Sequence, residues 1–532
     1  MAPLPVECLF DIFKHVDDIK TLYSIVLTNR TWCREAVHLL WSDPFRSTKK
    51  RNKNIYKIVT ILLSYTEPGY KSFLRVHKKK LNIPKATTFN YPQFIKNIDF
   101  AILFSSIRQW IKKHNRMRPK LREDYFINND SEYASFFEFD DYFDVREQER
   151  LAFAQAIFEV ILNNSSSIKK LLIRLPDNSD YLSSCLGAYF EELFTAPEAI
   201  QQLSNLEHFE CSGNFLKADF VRDVMEYACN IKTFTLELSE DDYGPIEQLS
   251  CGISKQKSLE TLRLICNDED DLTEIFKSLN GISGSLRSLE VTNGILDSDL
   301  SGEYLEKCFQ LRNLTFTNLD VFGEKKPFVN AVFPHLEELS FTDTYFDLES
   351  DIKEDHHCEI ITQIIQNNGR SLKSLSILVY WNICPGFPNT ISQNCQNLRN
   401  FTIRINSFEL IPYLFDILRE CQNLETLSIL GTLKDVLIVD VFMMDFTQLL
   451  QPKLRFLDVT SWVFGQKQFI TLLDSWPGPL GSLKCNVCIK GIKDFKDFQN
   501  LVQKYLRRKN KMLTKSKFRR IGKYWLVDVE WH

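Results

Sequence analysis

The chain has 532 residues, 44% of them hydrophobic and 25% charged, with a formal net charge of −4. This is the composition of a folded globular protein, not of a disordered or fibrous one. So small a net charge excludes a molecule that binds polyanions through its overall field. The longest apolar run, Ile58 to Leu63, is interrupted by Thr60 and falls far short of the roughly 20 residues a membrane helix needs. No basic segment precedes an apolar one at the amino terminus, and the 14 cysteines are scattered without a framework of short spacings. These features predict a reducing compartment, cytoplasmic or nuclear or both.

In chain order, Pro5 suits the first turn of a helix. Leu9, Ile12, Phe13 and Val16 then recur at i, i+3, i+4 and i+7. Asp17 and Asp18 suit the cap of a second helix carrying Ile19, Leu22 and Val26. Thr28 and Asn29 start a third, with Trp32, Ala36 and Leu40 inward and its end near Trp41. Three short helices make too small a core to be comfortable alone, so part of this apolar surface is expected to be covered by a partner. Residues 46–160 carry no repeat. Helices are expected over Phe94 to Lys113 and Val145 to Leu162, with breaks at Pro84 and Pro92, and Glu132 to Asp144 reads as a loop. This segment is expected to connect the first helices to the region beyond residue 160 and to cap that region.

From residue 168 to 459 one phrase returns eleven times: apolar, two residues, apolar, one residue, apolar. Ile168-Leu171-Ile173, Leu259-Leu262-Leu264 and Leu424-Leu427-Ile429 are examples, and a degraded copy is expected to start at Leu483. From Leu206 onward the copies start 25 to 30 residues apart, with one interval of 36 after Leu336 that holds the acidic stretch Asp347 to Asp355. The period matches that of leucine-rich repeats. Alternation within the phrase reads as a short strand with one buried face. Helical spacing in the intervening segments, as in Ile411, Leu414, Phe415 and Leu418, reads as a helix. The expected fold is therefore an α/β leucine-rich-repeat solenoid, a horseshoe of strand–helix units behind a small all-α segment. Its divisions are 1–45, 46–160, 161–490 and a carboxy-terminal cap over 491–532, with a helix over Phe495 to Arg508 and a final alternating strand.

In such a solenoid, alternate strand residues line the concave face. The central column reads Thr235, Arg263, Glu290, Thr315, Ser340, Ser376, Thr402, Ser428 and Asp458. The next column includes Arg404. The face is mostly hydroxyls, which either serve hydrogen-bonded recognition or simply suit a β-surface. Arg263, Glu290, Arg404 and Asp458 are the candidate substrate contacts.

No phosphate loop, dinucleotide loop, nucleophile elbow or His-Glu-x-x-His helix is present, and no catalytic residue, cofactor or metal site is assigned. Cys485 and Cys488 form one C-x-x-C, but two further zinc ligands at suitable spacing are absent after it. His356-His357-Cys358 reads as a solvated loop. Cys308, Cys395 and Cys421 each stand three residues before a repeat phrase and read as buried helix-end positions. Ten Lys or Arg and no acid lie between Phe498 and Val527. That run fits a phosphate-binding patch or a solvated cap face, and the second reading is preferred.

Leu4, Pro5, Glu7, Leu9, Ile12, Phe13, Leu22, Asn29, Arg30, Trp32 and Trp41 together resemble the F-box motif. With the repeats behind it, the chain resembles the large fungal F-box/leucine-rich-repeat families. The resemblance implies a Skp adaptor as partner, through it a cullin, and a protein substrate held by the repeats. It assigns Leu4, Pro5, Leu9, Ile12, Phe13, Trp32 and Trp41 to the adaptor contact. Each of these residues is equally open to being core of the small bundle.

Overall fold

The computed structural model describes residues 4–46, 55–66, 87–115, 145–174, 202–212, 218–238, 246–297, 303–322, 330–342, 354–379, 386–405, 407–431, 436–476, 481–488, 495–508, 513–521 and 524–531. The chain divides into two compact units, Met1–Leu259 and Glu260–His532. The expected loop Glu132 to Asp144 and residues 347–353 of the acidic stretch Asp347 to Asp355 lie outside the described residues, and the last two residues of that stretch begin the helix Glu354–Asn368.

The first unit opens with α1 (Val6–Lys14), α2 (Ile19–Val26) and α3 (Arg30–Trp41). The starts of α2 and α3 come from side chains that satisfy free backbone N–H groups. Asp18 Oδ2 accepts from Thr21 N at 2.9 Å, and Asn29 Oδ1 from Trp32 N at 2.9 Å. The three helices share a small core of Leu9, Phe13 and Ala36, with Ile25, Val26, Trp32 and Leu39 packed around it.

Three further helices come next: α4 (Ile55–Leu62), α5 (Phe100–Asn115) and α6 (Val145–Asn164). The helix expected from Phe94 starts only at Phe100. Tyr91–Phe94 is a single 3-10 turn, and Asn97–Asp99 is a strand, β1. This strand is a further copy of the phrase, Ile95-Ile98-Phe100, with all three residues buried. It pairs in parallel with β2 (Lys170–Arg174), which pairs with β3 (His208–Ser212), which pairs with β4 (Thr233–Glu237). The repeat sheet therefore begins inside the segment read from sequence as a helical connector.

One backbone pattern runs through this unit. The carbonyl just before each strand accepts two N–H groups from the next copy. Lys169 O takes Glu207 N at 2.8 Å and His208 N at 3.0 Å, and Lys96 O takes Lys169 N and Lys170 N. Ser42 O, at the end of α3, takes Lys96 N at 2.9 Å and Asn97 N at 3.0 Å. The first three helices thus join the repeat ladder as its first rung. Trp41 stacks on Tyr91 beside this joint, ring centroids 4.3 Å apart.

The second unit carries β5 (Thr261–Ile265), β6 (Ser288–Thr292), β8 (Asn313–Thr317), β10 (Glu338–Thr342), β11 (Ser374–Leu378), β12 (Asn400–Arg404), β13 (Thr426–Leu430), β14 (Phe456–Gly465) and β15 (Gly481–Cys488). They pair in parallel in that order. The short β7 (Ile295–Asp297) and β9 (Asp320–Phe322) pair separately. Register aligns each phrase with the next: Leu262, Leu289, Leu314, Leu339, Leu375, Phe401, Leu427, Leu457 and Leu483 form one buried column. Leu483 therefore holds the second apolar position of its copy and does not start it, contrary to the expectation from sequence. No unit buries this column alone, so stacking is what stabilises it.

The residue after each strand extends the ladder. Cys266 N donates to Thr292 O, Asn293 N to Thr317 O and Asn318 N to Thr342 O, each at 2.8 Å. Asn293 and Asn318 take φ of 61° and 50° there, a region asparagine tolerates better than most residues.

Cys395 and Cys421 cap the ends of the helices Phe387–Asn394 and Ile411–Glu420. With Cys308 they are fully buried. Burial pushes the Cys308 and Cys421 thiols up to about 12, so they are inert packing groups. Cys485 is likewise buried within β15. The tail holds the expected helix, Phe495–Arg508, and then a hairpin of β16 (Leu513–Ile521) and β17 (Tyr524–Trp531), with β17 antiparallel to β15.

Candidate binding surfaces

The seven residues assigned to an adaptor contact fall into two groups. Leu9 and Phe13 are 7% and 3% exposed and form the bundle core. Phe13 meets Trp32 edge to face at 5.3 Å, and Trp41 is committed to Tyr91. Leu4 and Ile12 stand out at 57% and 52% exposed, with Pro5 beside Leu4 also exposed. Val6, Tyr23 and Leu27 are exposed on the same three-helix segment, Leu27 at 67%. These three were not picked out in sequence. Helical spacing marks which residues share a stripe but not which stripe the neighbouring helices cover.

In the second unit the strands expose alternate residues, as expected from their period of two. Of the four candidate substrate contacts, Arg263 and Glu290 face each other across β5 and β6, with Nε and Oε1 at 3.2 Å. Arg404 lies on β12, opposite Leu430 and four strands beyond β6. Asp458, on β14, accepts from Thr460 N at 3.1 Å and sits 4.0 Å from Lys484 Nζ. The four therefore do not form one cluster. Between them lies a hydroxyl-rich field that includes Thr315, Ser340, Ser376, Thr402 and Ser428.

The basic tail is partly balanced by its own hairpin. Register sets Lys515 opposite Glu530 and Lys517 opposite Asp528, and Lys515 Nζ reaches Glu530 at 2.8 Å. Among the described residues no three His, Cys, Asp or Glu side chains gather as metal ligands. No described helix is long and apolar enough to cross a membrane.

A further regularity is present in the sequence and gains its meaning from the fold. The second residue of all eleven phrases is charged: Lys169, Glu207, Lys232, Glu260, Arg287, Arg312, Glu337, Lys373, Arg399, Glu425 and Arg455. These residues stand at the strand starts as a rim of side chains. In the first unit Glu207 binds Lys169 at 2.5 Å and Lys232 at 2.8 Å. These two bonds hold its carboxyl down at about 2. A carboxyl lowered in the folded state adds stability above its unfolded value and loses it as pH falls through the folded one. Acid titration between roughly pH 4.5 and 2 is therefore expected to weaken the first unit, and Glu207→Gln to flatten that part of its stability–pH curve. An unchanged curve would mean that the two bonds add nothing in solution.

Compared with protein-family models and with curated protein sequences, the chain matches none. Among solved structures it is similar to an internalin, inlF, from Listeria monocytogenes, at 16% identity over 59% of this chain and 86% of that one, with a TM-score of 0.31. It is also similar to a leucine-rich-repeat protein of Leptospira interrogans, at 15% identity over 66% of this chain and 84% of that one, with a TM-score of 0.29. The repeat register itself defines the class: the fold is an α/β leucine-rich-repeat solenoid with helices at its amino terminus. Folds of this kind present extended surfaces for binding proteins.

Proposed function

We propose that this protein is the substrate-receptor subunit of a cullin–RING ubiquitin ligase. Its first three helices act as an F-box that docks a Skp adaptor, and its repeats hold a protein substrate. The observation that carries the reading is the exposed apolar set Leu4, Val6, Ile12, Tyr23 and Leu27 on a bundle whose own core is only a few residues. Apolar side chains exposed on so small a unit favour a partner that covers them. The Ser42 rung and the Trp41–Tyr91 stack support the second half of the mechanism. They tie the end of the third docking helix to the first repeat strand. A substrate on the repeats is then held at high effective concentration near a ubiquitin-conjugating enzyme bound elsewhere on the ligase. The chain contributes positioning, and bond chemistry belongs to its partners.

The test is capture of purified Skp adaptor by the full chain, beside Ile12→Asp/Leu27→Asp. Both substituted residues are exposed, so the variant should keep the wild-type circular dichroism spectrum while losing capture about 100-fold or more. No capture by folded wild type overturns the proposal and leaves a repeat protein that binds partners without a ligase.

A further inference from the structure

The strand-start rim of the second unit carries more cations than anions, and each of its glutamates stands beside a cation that has a like-charged neighbour. In strand order it reads Glu260, Arg287, Arg312, Glu337, Lys373, Arg399, Glu425, Arg455. That is five cations and three anions. Glu260 pairs with Arg287 at 3.8 Å, Glu337 with Arg312 at 4.0 Å and Lys373 at 2.9 Å, and Glu425 with Arg399 at 3.8 Å. Glu337 lies below the usual carboxylate range, chiefly because Lys373 hydrogen-bonds it. Like charges on adjacent strands repel, so each like pair on the rim carries a local cost that a second anion laid across it would relieve. Here two like pairs stand side by side, Arg287 with Arg312 and Lys373 with Arg399. All four side chains are 50–61% exposed. This local excess sits in a chain whose net charge is −4.

We propose that this rim is a docking surface for an extended acidic polypeptide segment that runs across the strands. Adjacent strands lie about 4.8 Å apart, so the two cation pairs are centred three strands, or roughly 14 Å, from each other. An extended chain advances about 3.3 Å per residue, and four residues span that distance. A segment with an acidic residue at every fourth position places one carboxylate on Arg287 and Arg312 and the next on Lys373 and Arg399. Its uncharged residues then pass Glu337. A continuous polyanion has no such gap: its phosphates meet Glu337 and then Glu425. The rim thus favours a spaced acidic peptide over a nucleic acid. The inference does not depend on adaptor docking, which uses the other unit.

The experiment is fluorescence anisotropy with the full chain at low ionic strength, where exposed charges are least screened. The probes are a labelled 13-residue Gly/Ser peptide with Glu at every fourth position, its Gln counterpart and a single-stranded oligonucleotide. The variant is Arg287→Gln/Arg312→Gln/Lys373→Gln/Arg399→Gln. The Glu peptide should bind the wild type, weaken as salt is raised, and bind the folded variant about tenfold more weakly. The Gln peptide should not bind. Lys517→Gln/Arg519→Gln, in the basic tail, should leave the affinity unchanged. Absence of Glu-peptide binding, equal binding by the four-site variant, loss with the tail variant, or tighter binding of the oligonucleotide would each overturn the proposal.

Discussion

Asn368→Leu is expected to cost the second unit about 2 kcal/mol, the scale of leaving a buried backbone N–H without a partner. Asn368 ends the helix Glu354–Asn368 and is buried. Its Oδ1 accepts from Phe333 N at 2.6 Å, and its Nδ2 donates to Ala331 O and Ile364 O at 2.9 Å each. One side chain therefore ties the entry to β10 to the helix of the next copy. Leucine is close in volume but leaves the Phe333 amide facing apolar surroundings and the Ala331 carbonyl with only the longer bond from Asn367 Nδ2 at 3.4 Å. Asn368→Asp should cost at least as much, because a carboxylate oxygen would face two carbonyls. Repeat arrays open locally, so the measurement is hydrogen exchange at the Phe333 amide. Faster exchange there, with the first unit unchanged, is the expected result. Unchanged exchange would show that the amide does not hold the two copies together. Gln256 bridges in the same way in the first unit, from Ile231 N at 3.2 Å to Met225 O at 2.9 Å, so the device recurs.

The second large effect separates folding from docking within one helix. Phe13→Ala removes a buried ring from a core that contains little else, at a cost of about 3–5 kcal/mol. A bundle of this size has no comparable reserve, so α1 to α3 should unfold and become protease-sensitive while the repeats stay protected. Ile12 is no member of that core. The stability of Ile12→Ala should stay within about 0.5 kcal/mol of wild type, and its effect should appear only in adaptor capture. Equal loss of folding in both variants would mean that Ile12 is part of the core. Equal capture by wild type and Ile12→Ala would remove Ile12 from the docking surface.

Much of the architecture was legible because strand geometry repeats along the array. A two-residue period and a 25- to 30-residue spacing in the chain leave a buried strand face and a stacked array as the simplest solution. The caps at Asp18 and Asn29 were legible for a local reason, since a short polar side chain before an apolar stripe has an N–H within reach. The first copy, Ile95-Ile98-Phe100, matches the phrase but stands 73 residues before the next, at Ile168. The long helices α5 and α6 lie in that interval, and the periodicity does not reach across it. Of the carboxy-terminal hairpin only the final strand, β17, is legible in the sequence, because the pairing of β16 with it sets Lys515 against Glu530 through chain reversal and not through any local pattern.

The sequence alone determined the repeat, the face of each repeat strand that is buried and the charged second residue of all eleven phrases. Each of these depends on neighbours a fixed number of positions away. Tertiary structure alone decided which side of α1 is core, that Ser42 continues the ladder, and which rim charges stand beside like charges. Those outcomes depend on which elements come into contact, and a one-dimensional spacing carries no record of that.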